Sequence, residues 1–143
     1  MSDAPKSPPA APAVGETLTT HLGIDQGLCG APVELGPGRA VVELPCAAAM
    51  GVDAEGLVHG GFVFGLADHA AMLAVNHPHV VLGSADTRFV APVRVGAVVR
   101  AEARRVAEKG RKHTIEVQCA VEGALVMTGT FTAFVLDHHV LQG

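Results

Sequence analysis

The chain has 143 residues, of which 49 % are hydrophobic and 17 % charged, with a mean hydropathy of +0.37. That is about one domain's worth of chain, apolar enough to bury a core, which excludes disorder throughout. The net charge of −4 lacks the basic surplus of a nucleic-acid binder, and no run approaches the roughly 18 apolar residues of a membrane span.

Residues 1–14 are rich in Ala, Pro and Ser and read as a flexible tail, with residues 15–143 as a single domain. Pro5, Pro8, Pro9 and Pro12 interrupt any signal-peptide core. Cys29, Cys46 and Cys119 form neither a disulfide framework nor a zinc pattern, so a reduced, cytoplasmic setting is expected. Leu18 to Leu28 reads as a short helix or loop. From Arg39 to Leu44 the chain alternates, with Ala40, Val42 and Leu44 on one face, and Pro45 ends that strand. A loop over Cys46 to Val58 follows.

Gly60 to Asn76 is the one long helical stretch. Its body, Phe62 to Val75, is apolar nearly all the way round, as in a buried helix. Asn76 serves as its stop and Pro78 forbids continuation. Beyond it the period becomes two, over Ala85–Ala91, Val98–Arg104, Thr114–Glu122 and Leu125–Leu136. Tight turns at Glu108-Lys109-Gly110 and Glu122-Gly123 make the later strands antiparallel neighbours. The fold class is therefore α+β, one long buried helix wrapped by an antiparallel sheet of five to six strands. One helix is a thin cover for such a sheet. A sheet edge, or the outer side of the helix, is expected to meet a second copy in at least a dimer.

Two features carry chemistry. Gly60 and Gly61 open the helix, where amide N–H groups lack partners and the dipole is positive. Without Cβ atoms they let a carbonyl oxygen approach those amides, although paired glycines also serve plain tight turns. Asp68 stands two turns into an apolar helix, with Phe64, Gly65, Ala71 and Met72 as its helical neighbours, none able to pair with it. A lone carboxylate there is costly, so it is either functional or satisfied by a backbone amide or by an arginine such as Arg88. Gly61, Gly65, Asp68 and Met72 fall on one stripe, which makes a groove for an acyl chain, with Phe62, Phe64 and Leu73 as further apolar lining. His69 lies about 100° round the helix from Asp68 and off the stripe. His77, His79, His138 and His139 lack the companions of a metal site. Arg111 and Lys112, after Gly110 at a turn, are placed to meet phosphates.

These residues resemble the hot-dog thioesterases, specifically the phenylacetate-pathway (PaaI-like) acyl-CoA thioesterases. The resemblance runs from about Gly36 to Val135. It is carried by Pro37-Gly38-Arg39-Ala40, His59-Gly60-Gly61, Leu66-Ala67-Asp68, Asn76, Phe89-Val90-Ala91-Pro92-Val93 with Gly96, and Gly110. It implies a six-stranded sheet around a long helix, in dimers or tetramers whose sites lie at the interface. It implies that the carboxylate matching Asp68 acts on a thioester as nucleophile or general base. The amide matching Gly60 or Gly61, beside His59, would polarise the carbonyl, and one subunit's helix would be completed by the other subunit. Coenzyme A is then part of the substrate, and no metal or redox cofactor is needed. Two positions depart from the family pattern. Asp53 stands six residues before the histidine where relatives often carry Asn, which can donate a hydrogen bond. The Ser or Thr that relatives carry after the helix is matched by Ser84 or Thr87. The competing expectations are a non-catalytic acyl-CoA sensor and a 3-hydroxyacyl thioester dehydratase, which needs an Asp and a His on one helix face.

Overall fold

A computed structural model describes residues 16–143, so the tail reading for residues 1–14 lies outside the described residues. The elements in chain order are α1 (Gln26–Cys29), β1 (Ala31–Gly36), β2 (Arg39–Pro45), a 3-10 turn over Ala48–Met50, α2 (Gly60–Val75), β3 (Val80–Phe89), β4 (Val98–Lys109), β5 (Lys112–Val121) and β6 (Ala124–Val135). The six strands form one antiparallel sheet in the order β1-β2-β4-β5-β6-β3. The sheet curls round α2, which is the hot-dog arrangement. Among the described residues no helix is long and apolar enough to cross a membrane.

The inner face of the sheet carries Val42, Leu44, Ala101, Ala103, Ile115, Val117, Met127 and Phe131, all at most 2 % exposed. They pack on Val63, Leu66, Ala70 and Leu73 of α2. Alanines at 101 and 103 on the sheet and at 67, 70 and 74 on the helix let the two layers approach closely. The outer face is polar. Arg39 bridges Glu34 (2.7 Å) and Glu102 (2.8 Å), and Arg100 bridges Glu34 (2.9 Å) and Glu43 (3.2 Å), lacing β1, β2 and β4 together.

Two strands differ from the sequence expectation, and bulges are the reason. β3 begins at Val80 rather than Ala85 because its register shifts between Leu82 and Ser84. Gly83 sits in that bulge, where a Cβ would lie 2.5 Å from the Phe134 ring. β4 continues past Arg104 to Lys109 across a second bulge between Arg105 and Ala107. Each bulge inserts a residue and flips the phase of the period-two pattern, so alternation alone ends too early.

The outer side of α2 is divided. Its C-terminal half is covered by residues 16–30 of the same chain, leaving Ala71 and Met72 at 0 % and 1 % exposure. The expectation that this side awaits a second copy therefore survives only for the N-terminal half. Asn76 holds the cover in place. It ends the helix in the left-handed region (φ 52°, ψ 56°). Its Oδ1 accepts from the Thr19 amide (2.8 Å), and its Nδ2 donates to the Thr17 carbonyl (2.8 Å) and to Glu16 Oε1 (3.0 Å). Asn76→Gly keeps the backbone shape and loses these bonds, for about 1–2 kcal/mol of stability. Asn76→Ala adds left-handed strain of about 1 kcal/mol more. Thermal denaturation should rank the melting temperatures wild type, Gly, Ala in falling order; three equal values would remove this anchoring role.

Candidate active site

The loop before α2 delivers a helix start with no cap. The His59 amide donates to the Met50 carbonyl (2.9 Å), and the Phe62 amide donates to the His59 carbonyl (3.1 Å). The His59 side chain makes no capping bond. The amides of Gly60 and Gly61 are thus left without an acceptor among the described residues, at the positive end of the helix. Both glycines are closely approached by a neighbouring ring. A Cβ on Gly61 would lie 2.9 Å from His59 Nε2, and one on Gly60 would lie 3.3 Å from the Phe89 ring. The exposed His59 ring stands edge-on to Phe62 with centroids 6.1 Å apart.

Asp68 is half-buried and makes no hydrogen bond or ion pair with any described residue. Arg88, its conceivable partner, faces the outer side of the sheet in register with Thr128. Burial pushes the Asp68 carboxyl above the usual carboxylate range. Beside it, a Cβ on Gly65 would meet nothing within 4 Å, so the helix face carrying Gly61, Gly65 and Asp68 opens onto free space. His69, next in sequence, is 2 % exposed, bonded through Nδ1 to the Cys29 carbonyl (3.1 Å) and stacked on His21 at 5.9 Å. Burial lowers its pKa, so it is a neutral packing group.

Within one chain the amides and the carboxylate are not side by side. Eight residues of helix separate Gly60 from Asp68, about 12 Å along the axis. Helical side chains lean back toward the N-terminus, which shortens the gap by only a fraction. A nucleophile must stand about 3–3.5 Å from the carbonyl carbon it attacks, far less than what remains.

The other predicted residues are dispersed. Thr87 lies on the helix side of the sheet, paired with Gly129, while Ser84 lies on the outer side, paired with Thr132. Met72 and Leu73 are 1 % and 0 % exposed and belong to the core, so they do not line an open groove. Arg111 is ion-paired with Asp137 and lines a cleft of about 720 Å³ with His77, His79 and His113 at the far end of α2, with Lys112 next to it. That cleft lies about 24 Å along the helix from Gly60. Among the described residues no three His, Cys, Asp or Glu side chains converge as metal ligands.

Asp53 has a local task. Its Oδ1 accepts from the amides of Glu55 (3.0 Å) and Leu57 (3.2 Å), bracing the loop that leads to His59. An asparagine Oδ1 accepts the same two bonds. Asp53→Asn should leave stability within about 0.5 kcal/mol of wild type by denaturant titration. A larger loss would mean that the charge itself matters there.

Sequence reasoning missed an apolar cavity of about 310 Å³ between the start of α2 and the end of β3, lined by Val58, Gly60, Val63, Phe89, Pro92 and Val126. A signal for it was present. Phe89-Val90-Ala91-Pro92-Val93 is an apolar run interrupted by a proline, which takes the chain out of the sheet beside the helix start.

The fold is that of the hot-dog proteins. The sequence profile described as "Thioesterase superfamily" matches residues 55–125. An uncharacterized protein, PH1136, from Pyrococcus horikoshii superposes with a TM-score of 0.87 at 47 % identity, covering 88 % of this chain and 97 % of that one. A variant of the phenylacetic acid degradation protein PaaI from Thermus thermophilus superposes with a TM-score of 0.71 at 37 % identity, over 78 % of this chain and 96 % of that one. The chain belongs to the thioesterase superfamily, with PaaI among its relatives. A methylthioribose-1-phosphate isomerase from Aquifex aeolicus is 46 % identical over 121 residues, 84 % of this chain; the match spans only 26 % of that protein.

Proposed function

We propose that this protein is an acyl-CoA thioesterase that works as a homodimer or a tetramer of such dimers. The observation that carries this is one helix with two acceptor-free glycine amides at its start and, two turns on, a partnerless carboxylate whose pKa burial raises. The amides of Gly60 and Gly61 receive the thioester carbonyl oxygen and stabilise the oxyanion it becomes. Asp68 either attacks the carbonyl carbon or takes a proton from a water that does. The carbon–sulfur bond breaks, coenzyme A leaves as its thiol, and water supplies the second oxygen of the free acid. Coenzyme A enters as part of the substrate, and the scheme needs no metal or redox group.

The separation along α2 supports a shared site. β3 is at the end of the sheet and pairs only with β6, so its other edge is free. A two-fold axis perpendicular to β3 at that edge pairs the strand antiparallel with its symmetry mate and runs the two α2 helices in opposite directions. Asp68 of one protomer then approaches the glycine amides of its partner. The test is thiol release from a panel of acyl-CoAs by wild type and Asp68→Asn side by side. Hydrolysis that collapses in the variant supports the reading; unchanged turnover, or none in wild type, overturns it.

A further inference from the structure

The cleft of about 720 Å³ at the far end of α2 gathers side chains that take no part in the proposed hydrolysis. The β4 bulge assembles one wall. Arg105 stands opposite Ile115 and Glu108 opposite His113, so both β4 residues share the helix-facing side of the sheet with His113. His113 is 5 % exposed, and its Nδ1 is buried with no hydrogen-bond partner. The half-buried Arg105 guanidinium makes no hydrogen bond with any described residue, and its nearest carboxylate, Glu108, stands 3.8 Å away. His77 accepts the His79 amide at Nδ1 (3.0 Å), so its neutral ring carries the proton on Nε2. Arg111, by contrast, is already paired with Asp137 at the rim.

We propose that this cleft binds a phosphate monoester of a small organic group, held by Arg105, His113 and His77. The donors come from the loop after α2, from β4 and from β5. Donors on three elements suit a tetrahedral oxyanion, whereas a planar carboxylate is served by one arginine fork. Ligand sites span about 300–1,000 Å³, so the cleft has room for more than the phosphate. Val75, Pro78, Val135 and Leu136 give the organic part an apolar wall. Glu108 is the group that opposes an anion; its side chain is 54 % exposed and can turn to water. Burial, with Arg105 and His77 nearby, keeps the free His113 ring neutral, and Glu108 offsets this in part. An arriving dianion reverses the balance and draws a proton onto the ring. The ester is the 3′-phosphate of coenzyme A or a separate metabolite, and the test separates the two.

Calorimetry on the full chain tests this with glycerol 3-phosphate, coenzyme A, dephospho-coenzyme A and succinate. Glycerol 3-phosphate should bind, and succinate should bind at least about tenfold more weakly. Arg105→Met should weaken the ester at least about tenfold, while Arg88→Met, on the outer side of the sheet, should leave it unchanged. Proton NMR of the wild type adds a readout that needs no substitution. A saturating ester should raise the titration midpoint of the His113 ring above its value in the free protein. Coenzyme A that displaces glycerol 3-phosphate, where dephospho-coenzyme A does not, supports the site with the coenzyme as its source. Coenzyme A that binds alongside the ester supports a separate metabolite. Four results overturn the proposal: no binding of either monoester, succinate or dephospho-coenzyme A as effective as the monoesters, equal loss in both arginine variants, or an unmoved His113 midpoint.

Discussion

Asp68→Asn should cost activity and add stability. The substitution keeps the side chain's size and removes the one group on the helix face able to act as nucleophile or base, so kcat should fall by about 10²- to 10⁴-fold. Stability should move the other way. The folded carboxyl has a pKa raised above its ordinary value of 3.8 by burial, with no partner to offset the lost hydration. Between the unfolded and folded pKa values the native state binds more protons than the unfolded chain, so stability falls as pH rises through that window. Above it, the ionised carboxylate is a standing cost. The variant should melt higher than wild type at pH 7, and the difference should vanish as pH drops below 3.8. The same displacement places the acid limb of the wild-type rate profile above the ordinary carboxylate range. A variant that melts lower at pH 7 would mean that Asp68 is a structural acceptor in the assembled protein.

Mixed dimers should be active where both parent variants are dead. Gly60→Pro removes one amide donor at the first helical position, where proline is tolerated. The preceding residue, His59, already has the extended backbone (φ −62°, ψ 129°) that a following proline requires. Losing one oxyanion donor costs about 10²- to 10³-fold in kcat. If each site takes its carboxylate from one protomer and its amide from the other, a dimer of one Asp68→Asn chain and one Gly60→Pro chain holds one intact site and one doubly defective one. Equal co-expression then restores about a quarter of wild-type activity, because half the dimers are mixed and each has half its sites. If both groups came from one chain, every site in the mixed dimer would be defective and nothing would return. The comparison needs only tagged co-purification and a thiol-release rate.

The sequence exposed the parts of this architecture that depend on short-range periodicity. The apolar run from Phe62 to Val75 and its stop at Asn76 appear as α2 and its cap. The turn at Gly110 appears between β4 and β5, and residues 122–123 separate β5 from β6. What stayed hidden depends on contacts distant in sequence. The bulge at Gly83 is set by the Phe134 ring across the sheet. Asn76 shows itself as a helix stop, but its bonds to residues 16–19 span some sixty positions and leave no local trace. The same limit applies to the site. The candidate positions Gly60, Gly61 and Asp68 could be related to one another from sequence because a helix turns spacing into position. Met72 has the right spacing for the stripe, but it lies under the segment that Asn76 ties down. Ser84 and Thr87 could not be told apart until the bulge fixed which of them faces the helix.

That anchoring has a practical reading for anyone immobilising or fusing the protein. Glu16 is held at Asn76, at the opposite end of α2 from the Gly60 amide. Glu16 therefore stands about 24 Å along the helix from the Gly60 amide. Anchoring the fold at this end of α2 keeps a neighbouring surface away from the end that carries the candidate amides.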